Sequence, residues 1–172
     1  MYPVGILSNN TLLSYFVKNN QDDMADLLLK NNNIDVNIKS PIDNAIANND
    51  TNMVNKIISH IKFNPYSKND NGDAPVMVAI MTDRTFSMFE LLADKMGKAN
   101  LSKSDLINPK TKMTPLMLAV DNDMPYEIII KYFDNKSISY SNKSSKNVYD
   151  IVTTKLSIKP NDENMLKIKK WV

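Results

Sequence analysis

TPLMLAVDNDM, from Thr114 to Met124, is the stretch that decides the fold, because altered copies of it occur earlier in the chain. SPIDNAIANND starts at Ser40 and APVMVAIMTDR at Ala74, each with a small or hydroxyl residue, proline, an aliphatic residue, two variable residues and alanine. Two fainter copies flank these, TLLSYFVKNNQ from Thr11 and NVYDIVTTK from Asn147. Measured at the proline position (Leu12, Pro41, Pro75, Pro115, Val148) the spacings are 29, 34, 40 and 33 residues. Self-similarity at such a period is the signature of a repeat architecture.

Physical chemistry explains the form of the pattern. Ser or Thr before proline offers a side-chain cap followed by a residue already set at helical φ, so each copy announces a helix start. The alanine lies where neighbouring helices must approach closely. The helix then runs into a turn rich in Asn and Asp, as at Asn19-Asn20, Asn48-Asn49-Asp50 and Asp121-Asn122-Asp123. Asn tolerates the left-handed conformation that ends a helix. A second helix follows each turn, with an apolar stripe of Met24, Leu27 and Leu28, then Met53, Val54, Ile57 and Ile58, then Met88, Phe89, Leu91 and Leu92, then Ile128, Ile129, Tyr132 and Phe133. NIDVN (33 to 37), FNPYSKNDNGD (63 to 73) and INPKTKM (107 to 113) read as the loops that link each pair to the next.

With helix, turn, helix and loop in place, the chain resembles the ankyrin-repeat family, whose signature is T-P-L-H-x-A at a 33-residue period. DNGDAPVMVA resembles the opening of that repeat, with Gly72 at its glycine, and IDVN resembles its loop ending. The signature histidine is replaced by Ser14, Asp43, Met77, Met117 and Asp150. The resemblance covers roughly residues 10 to 155 and implies an all-α solenoid of about four to five repeats in one domain spanning 1–172. The repeats are placed at about 10–37, 38–66, 69–100, 108–136 and 142–172, the last one capping. The short join from Asn37 to Ser40 leaves no room for a full finger, and the long join before Thr114 predicts an extra turn near Ser102 to Leu106.

Terminal repeats need polar outer faces because they have no neighbour. Asn9, Asn10, Ser14 and Lys18 fit that at the start. At the end, Met165, Leu166, Ile168 and Trp171 favour a packed final helix over a frayed basic tail, since apolar side chains are costly to leave in water.

Composition narrows the chemistry. The chain has 172 residues, 42% of them hydrophobic, enough for a continuous core in one domain. With no cysteine, neither a disulfide framework nor a thiol nucleophile is available. The formal net charge of +2 is too small for a phosphate-binding field, which disfavours nucleic acid. No apolar run has the length of a membrane span, and the first residues lack the pattern of a secretion signal. A soluble, monomeric, cytoplasmic protein is the expectation, with host-cell cytoplasm as the location if it acts on a host. The lysine and asparagine bias, with Arg84 the single arginine, points to an AT-rich genome.

No catalytic, metal or cofactor site emerges. The three glycines, Gly5, Gly72 and Gly97, are too scattered for a phosphate loop. His60 falls late in a second helix, where it shields a helix end. Asp22-Asp23, Asp121/Asp123 and Asp162-Glu163 sit at turns or helix starts and read as caps. The run Asp70 to Asp73 lacks the ligand spacing of a calcium loop and reads as a turn.

The resemblance instead implies a module that binds another protein through a concave face built by first helices and loop fingers. The residues expected to form a continuous patch there are Asp70, Asp73, Met77, Met81, Lys110, Lys112, Met113, Met117 and Asp121, with Met77 and Met117 at the histidine position. A host-interaction factor of a pathogen or virus fits the coding bias. The competing readings are a self-associating structural or inhibitory protein and an enzyme with an unrecognised site.

Overall fold

Proline at the first helical position and an Asn- or Asp-bearing turn after two turns of helix recur along the chain, and they cut it into short antiparallel helix pairs. The computed structural model describes residues 9–83, 85–134 and 138–172, with the side chains of residues 9–11 outside that set. The ten α-helices there pair consecutively: α1 (Asn9–Lys18) with α2 (Asp22–Leu29), α3 (Pro41–Ala47) with α4 (Thr51–Ser59), α5 (Pro75–Thr82) with α6 (Ser87–Met96), α7 (Pro115–Asp121) with α8 (Tyr126–Tyr132), and α9 (Val148–Ile158) with α10 (Glu163–Trp171). The odd-numbered helices pack one on the next from α1 to α9, while α2, α4 and α6, and then α8 and α10, form the second layer. This is an all-α solenoid; no strand occurs among the described residues.

The alanines set the spacing of the first layer. Ala45, Ala79 and Ala119 hold the same place in α3, α5 and α7 and are fully buried, so neighbouring helices close on a methyl group. Between the layers, the stripes of α4, α6 and α8 fill the core. Phe89 stacks on Phe133 with centroids 5.7 Å apart and meets the edge of Tyr132 at 5.3 Å, an arrangement aromatic rings favour. The Tyr132 hydroxyl donates to Asp94 at 2.8 Å, keeping its polar end satisfied.

On the outer face an ion pair reaches from one second helix to the previous one at several steps: Lys56 to Asp26 at 2.6 Å, Lys131 to Glu90 at 2.8 Å and Lys167 to Glu127 at 3.0 Å. Exposed pairs of this kind are worth ~0–1 kcal/mol each, so they align the stack more than they hold it.

The turns follow the sequence in most copies. Asn20, Asn49 and Asp123 adopt positive φ of 54°, 55° and 60° after α1, α3 and α7. In the third copy the left-handed residue is Phe86, at φ 61° directly before α6, and Asp83 fastens the turn. Its buried carboxylate accepts from the N–H groups of Thr85 and Met88 and from the hydroxyls of Thr85 and Ser87. Burial alone would raise its pKa, and these hydrogen bonds outweigh it and hold the group below the usual carboxylate range. The neighbouring Arg84 lies outside the described residues.

Some expectations are corrected. Thr114 caps its helix, accepting from Met117 N–H at 3.1 Å. Ser40 does not: in the short join both Lys39 and Ser40 adopt the left-handed region, and the Ser40 side chain makes no cap hydrogen bond. Met24 and Leu27, read as core, are exposed, Leu27 by 61%. They lie in the first pair, which among the described residues packs on the second pair alone, and part of the stripe of α2 is exposed, as is Tyr15. The outer face at this end is thus less polar than expected, and the side chains of Asn9 and Asn10, assigned to it, lie outside the described residues. At the other end Met165 and Ile168 are buried and Trp171 packs against the core, but Leu166 points outward. The long join holds two 3-10 turns, Lys98–Asn100 and Ser104–Leu106, which bury Leu101 and Leu106.

Candidate functional site

Three loop fingers share one hydrogen-bond plan, centred on Asn69, Asn108 and Asn142. In each, the asparagine carbonyl accepts from a residue in the left-handed region: Gly72 at 2.9 Å, Lys112 at 2.8 Å and Ser145 at 2.9 Å. Its own N–H donates to the next carbonyl, of Asp73, Met113 or Lys146. Its Oδ1 accepts two further backbone N–H groups, from Asn71 and Asp73, Lys110 and Thr111, or Ser144 and Lys146. With the oxygen so occupied, the amide Nδ2 is left to reach the preceding repeat. Asn69 donates to Asp43 at 2.8 Å, Asn108 to Asp73 at 2.6 Å, and Asn142 to the Met113 sulfur at 3.5 Å. Thus the fingers are clipped to one another by side chains.

Two grooves open beside these fingers. The first, of about 340 Å³, is lined by residues 37–40, Asp43 and Asn44 on one side and 68–71 on the other. At its floor, burial of the Asp43 carboxyl pushes its pKa up to about 6; the Asn69 hydrogen bond works against the rise and the charge of Asp73 adds to it. The second, of about 300 Å³, lies between α7 and α9, where Met113 and Asp121 face Asn142, Lys146, Ile151 and Thr154. One end of it meets the finger tips and the other reaches Asp121 and Lys155, which is paired to Asp123 at 2.8 Å.

The residues expected to form one patch divide accordingly. Met113 and Asp121 come together in the second groove, with Lys110 and Lys112 exposed on the finger above it. Asp70 lines the first groove, and its carbonyl accepts from the Lys110 ammonium. Asp73 is half-buried and engaged by Asn108. Met81 is exposed at the end of α5, at the place that Asp121 takes in α7 and Thr154 in α9. Met77 and Met117 are corrections: both are fully buried. At the third position of a helix a long side chain leans back toward the helix start, and thioethers buried in this way cannot touch a partner.

Sequence reasoning passed over Asn69, Asn108 and Asn142, and also Ile151 and Lys146 in the second groove. The signal for the asparagines was available, since each precedes a turn corner by three or four residues. His60 does border a helix end, with Nε2 3.4 Å from the Asn31 carbonyl and Nδ1 accepting from Lys62 N–H at 3.2 Å. Among the described residues no group of three His, Asp or Glu side chains could hold a metal ion, and no helix is long and apolar enough to cross a membrane.

Comparison with known families places this geometry. No curated protein matches the chain. The model for ankyrin repeats in three copies matches residues 42–139, and a single ankyrin-repeat model matches residues 8–38. With helix pairs, fingers and family models in agreement, the chain belongs to the ankyrin-repeat family.

Proposed function

We propose that this chain is a protein-binding module that grips its partner with the fingers and the exposed ends of the first helices, and that it has no catalytic role. Ankyrin repeats generally mediate protein–protein interaction. The observation that carries the reading is the groove between α7 and α9, because consecutive repeats each supply part of its wall on a preformed scaffold. Pre-organised surfaces of this kind lose little entropy on binding. In this reading Met81, Lys110, Lys112, Met113 and Asp121 touch the partner, Asp70 contributes from the first groove, and Asp73 holds a finger in place. The partner's identity as a host protein, with the host cytoplasm as the place of action, is a further proposal resting on the coding bias alone.

The test is a binding assay against partner proteins recovered with the wild-type chain, repeated with the triple variant Met81→Glu, Met113→Glu, Asp121→Lys. Loss of binding is expected with little change in melting temperature from the exposed Met81 and Asp121, and the double variant Met81→Glu, Asp121→Lys separates binding from any folding cost at the half-buried Met113. Unchanged binding would overturn the assignment of the face.

A second reading, self-association, is favoured by one observation, the exposed Tyr15, Met24 and Leu27 at the first repeat. Light scattering over a concentration series decides it: a constant monomer mass removes it.

A further inference from the structure

We infer that the groove between α7 and α9 is selective for an extended, acidic segment of the partner, one carboxylate lying over the finger tips and the next apolar side chain seated between Met113 and Ile151. The inference rests on the protein-binding reading above and names the chemistry of the segment. Charge is its first support. From Ile107 to Val120 and from Ile138 to Tyr149 the chain carries Lys110, Lys112, Lys143 and Lys146 and no carboxylate. Lys112, Lys143 and Lys146 are exposed and form no ion pair among the described residues. The carboxylates close in sequence to the groove's lining residues are engaged, and the one that lines it is distant from the tips. Asp150 is held in the capping box of α9 with Asn147, and Asp123 is paired to Lys155. Asp121 alone is open, at the opposite end.

Rigidity is the second support. Lys112 and Ser145 sit at left-handed corners, and Lys143 N–H donates to the Thr111 carbonyl at 2.8 Å, tying the two fingers together. The lysine-bearing tips are therefore held side by side on hydrogen-bonded backbone. The other groove differs, setting Asp43 and Asp70 among Lys39 and Lys68, so the solenoid is basic at the fingers of its later repeats only.

Dimensions set the segment. From Pro115 to Asp121 the groove follows the seven residues of α7, six steps or ~9 Å at 1.5 Å each, which an extended strand spans in about three residues at ~3.3 Å each. The segment thus places an acidic residue over the tips, an apolar one midway, and a hydrogen-bond donor or cation near Asp121. An apolar floor and an acidic far end distinguish this surface from a phosphate-binding stripe, which needs cations along its whole length.

The experiment pans a phage-displayed library of random peptides against the full chain and measures the selected peptides by fluorescence anisotropy. Enrichment of Asp or Glu next to an apolar residue is expected, with affinity falling at least tenfold in the variant Lys112→Glu, Lys143→Glu, Lys146→Glu and weakening as salt is raised. A variant of equal charge change elsewhere, Lys30→Glu, Lys95→Glu, Lys170→Glu, should leave affinity within twofold, and melting curves of both variants verify folding. Equal loss in both variants overturns the inference, as does competition by a single-stranded oligonucleotide at the same concentration as peptide. Neutral peptides that respond to Met113→Glu with Asp121→Lys but not to the lysines overturn the acidic preference and leave the binding module standing. Recovery of no peptide sensitive to any of these substitutions overturns both.

Discussion

Asn108 donates from Nδ2 to Asp73 Oδ1 at 2.6 Å while its Oδ1 receives the N–H groups of Lys110 and Thr111, so one side chain shapes its own finger and fastens it to the previous one. Only 2% of its surface is exposed. Replacing it with alanine leaves two finger N–H groups without that acceptor and frees Asp73. Unsatisfied buried groups cost ~1–3 kcal/mol, so Asn108→Ala should lower unfolding free energy by about 2 kcal/mol in urea titration. A loss below about 0.5 kcal/mol would show that water replaces the bonds at no cost.

The finger corners make opposite predictions for two residues in equivalent places. Gly72 has φ of +90°, and a Cβ there would lie 3.0 Å from Pro109 Cδ and 3.2 Å from Asn108 Oδ1. Gly72→Ala should therefore destabilise. Lys112 holds a similar corner at φ 60° with a full side chain, and left-handed backbone costs a non-glycine residue ~1–2 kcal/mol. Lys112→Gly should raise stability by about 1 kcal/mol, read from the thermal midpoint, while weakening acidic peptides if their binding depends on its charge.

Stability should also depend on acid in an uncommon direction. Most carboxylates are stabilised by folding in their charged form, but burial pushes Asp43 up to about 6 from its ordinary value of 3.8. Between those limits the folded chain binds more protons than the unfolded one, so this residue's contribution falls as pH rises from about 4 to 6. Lys39, Lys68, Asn69, Asp70 and Asp73 lie around it. Asp43→Asn retains the shape without the charge. Denaturation at pH 5 and at pH 7.5 should show the variant gaining on the wild type at the higher pH; an equal difference between the two proteins at both pH values would remove the effect.

Close approach of the first helices is the most sensitive feature of the stack. Ala79 is fully buried in α5, between α3 and α7. Ala79→Leu must push at least one neighbour away, and overpacking costs ~1–3 kcal/mol. The same change at Ala47, an exposed residue at the end of α3, should be nearly neutral. Equal effects at the two positions would mean that the stack yields freely.

The helix pairs were legible in the sequence because proline, alanine and the Asn-rich turns act locally: Pro115 begins α7 and Asp123 ends its turn wherever they fall in the chain. What was illegible depended on neighbours. Met77 and Met117 occupy a position that varies in charge among the copies, with Asp43 and Asp150 in the same place, so pattern alone could not show that the thioethers are buried. Leu27 continues an apolar stripe on α2, and its 61% exposure is not visible in the stripe itself. Asn108 looked like a loop residue, and its role needed Asp73 from another repeat to be seen.

The reach of the asparagine clips extends to the adjacent repeat and no farther, and this has a kinetic meaning. Repeats that touch only their neighbours fold by nucleation and propagation, and short-range contacts make such folding fast. Order is expected to start at the centre, where Phe89 packs on Phe133. Order then spreads toward both ends and meets unequal closing steps: α10 arrives with Met165 and Ile168 to bury, whereas the first pair arrives with Leu27 and Met24 still facing water. Opening fluctuations should therefore begin at α2, and amide protons there should exchange ahead of those in α6.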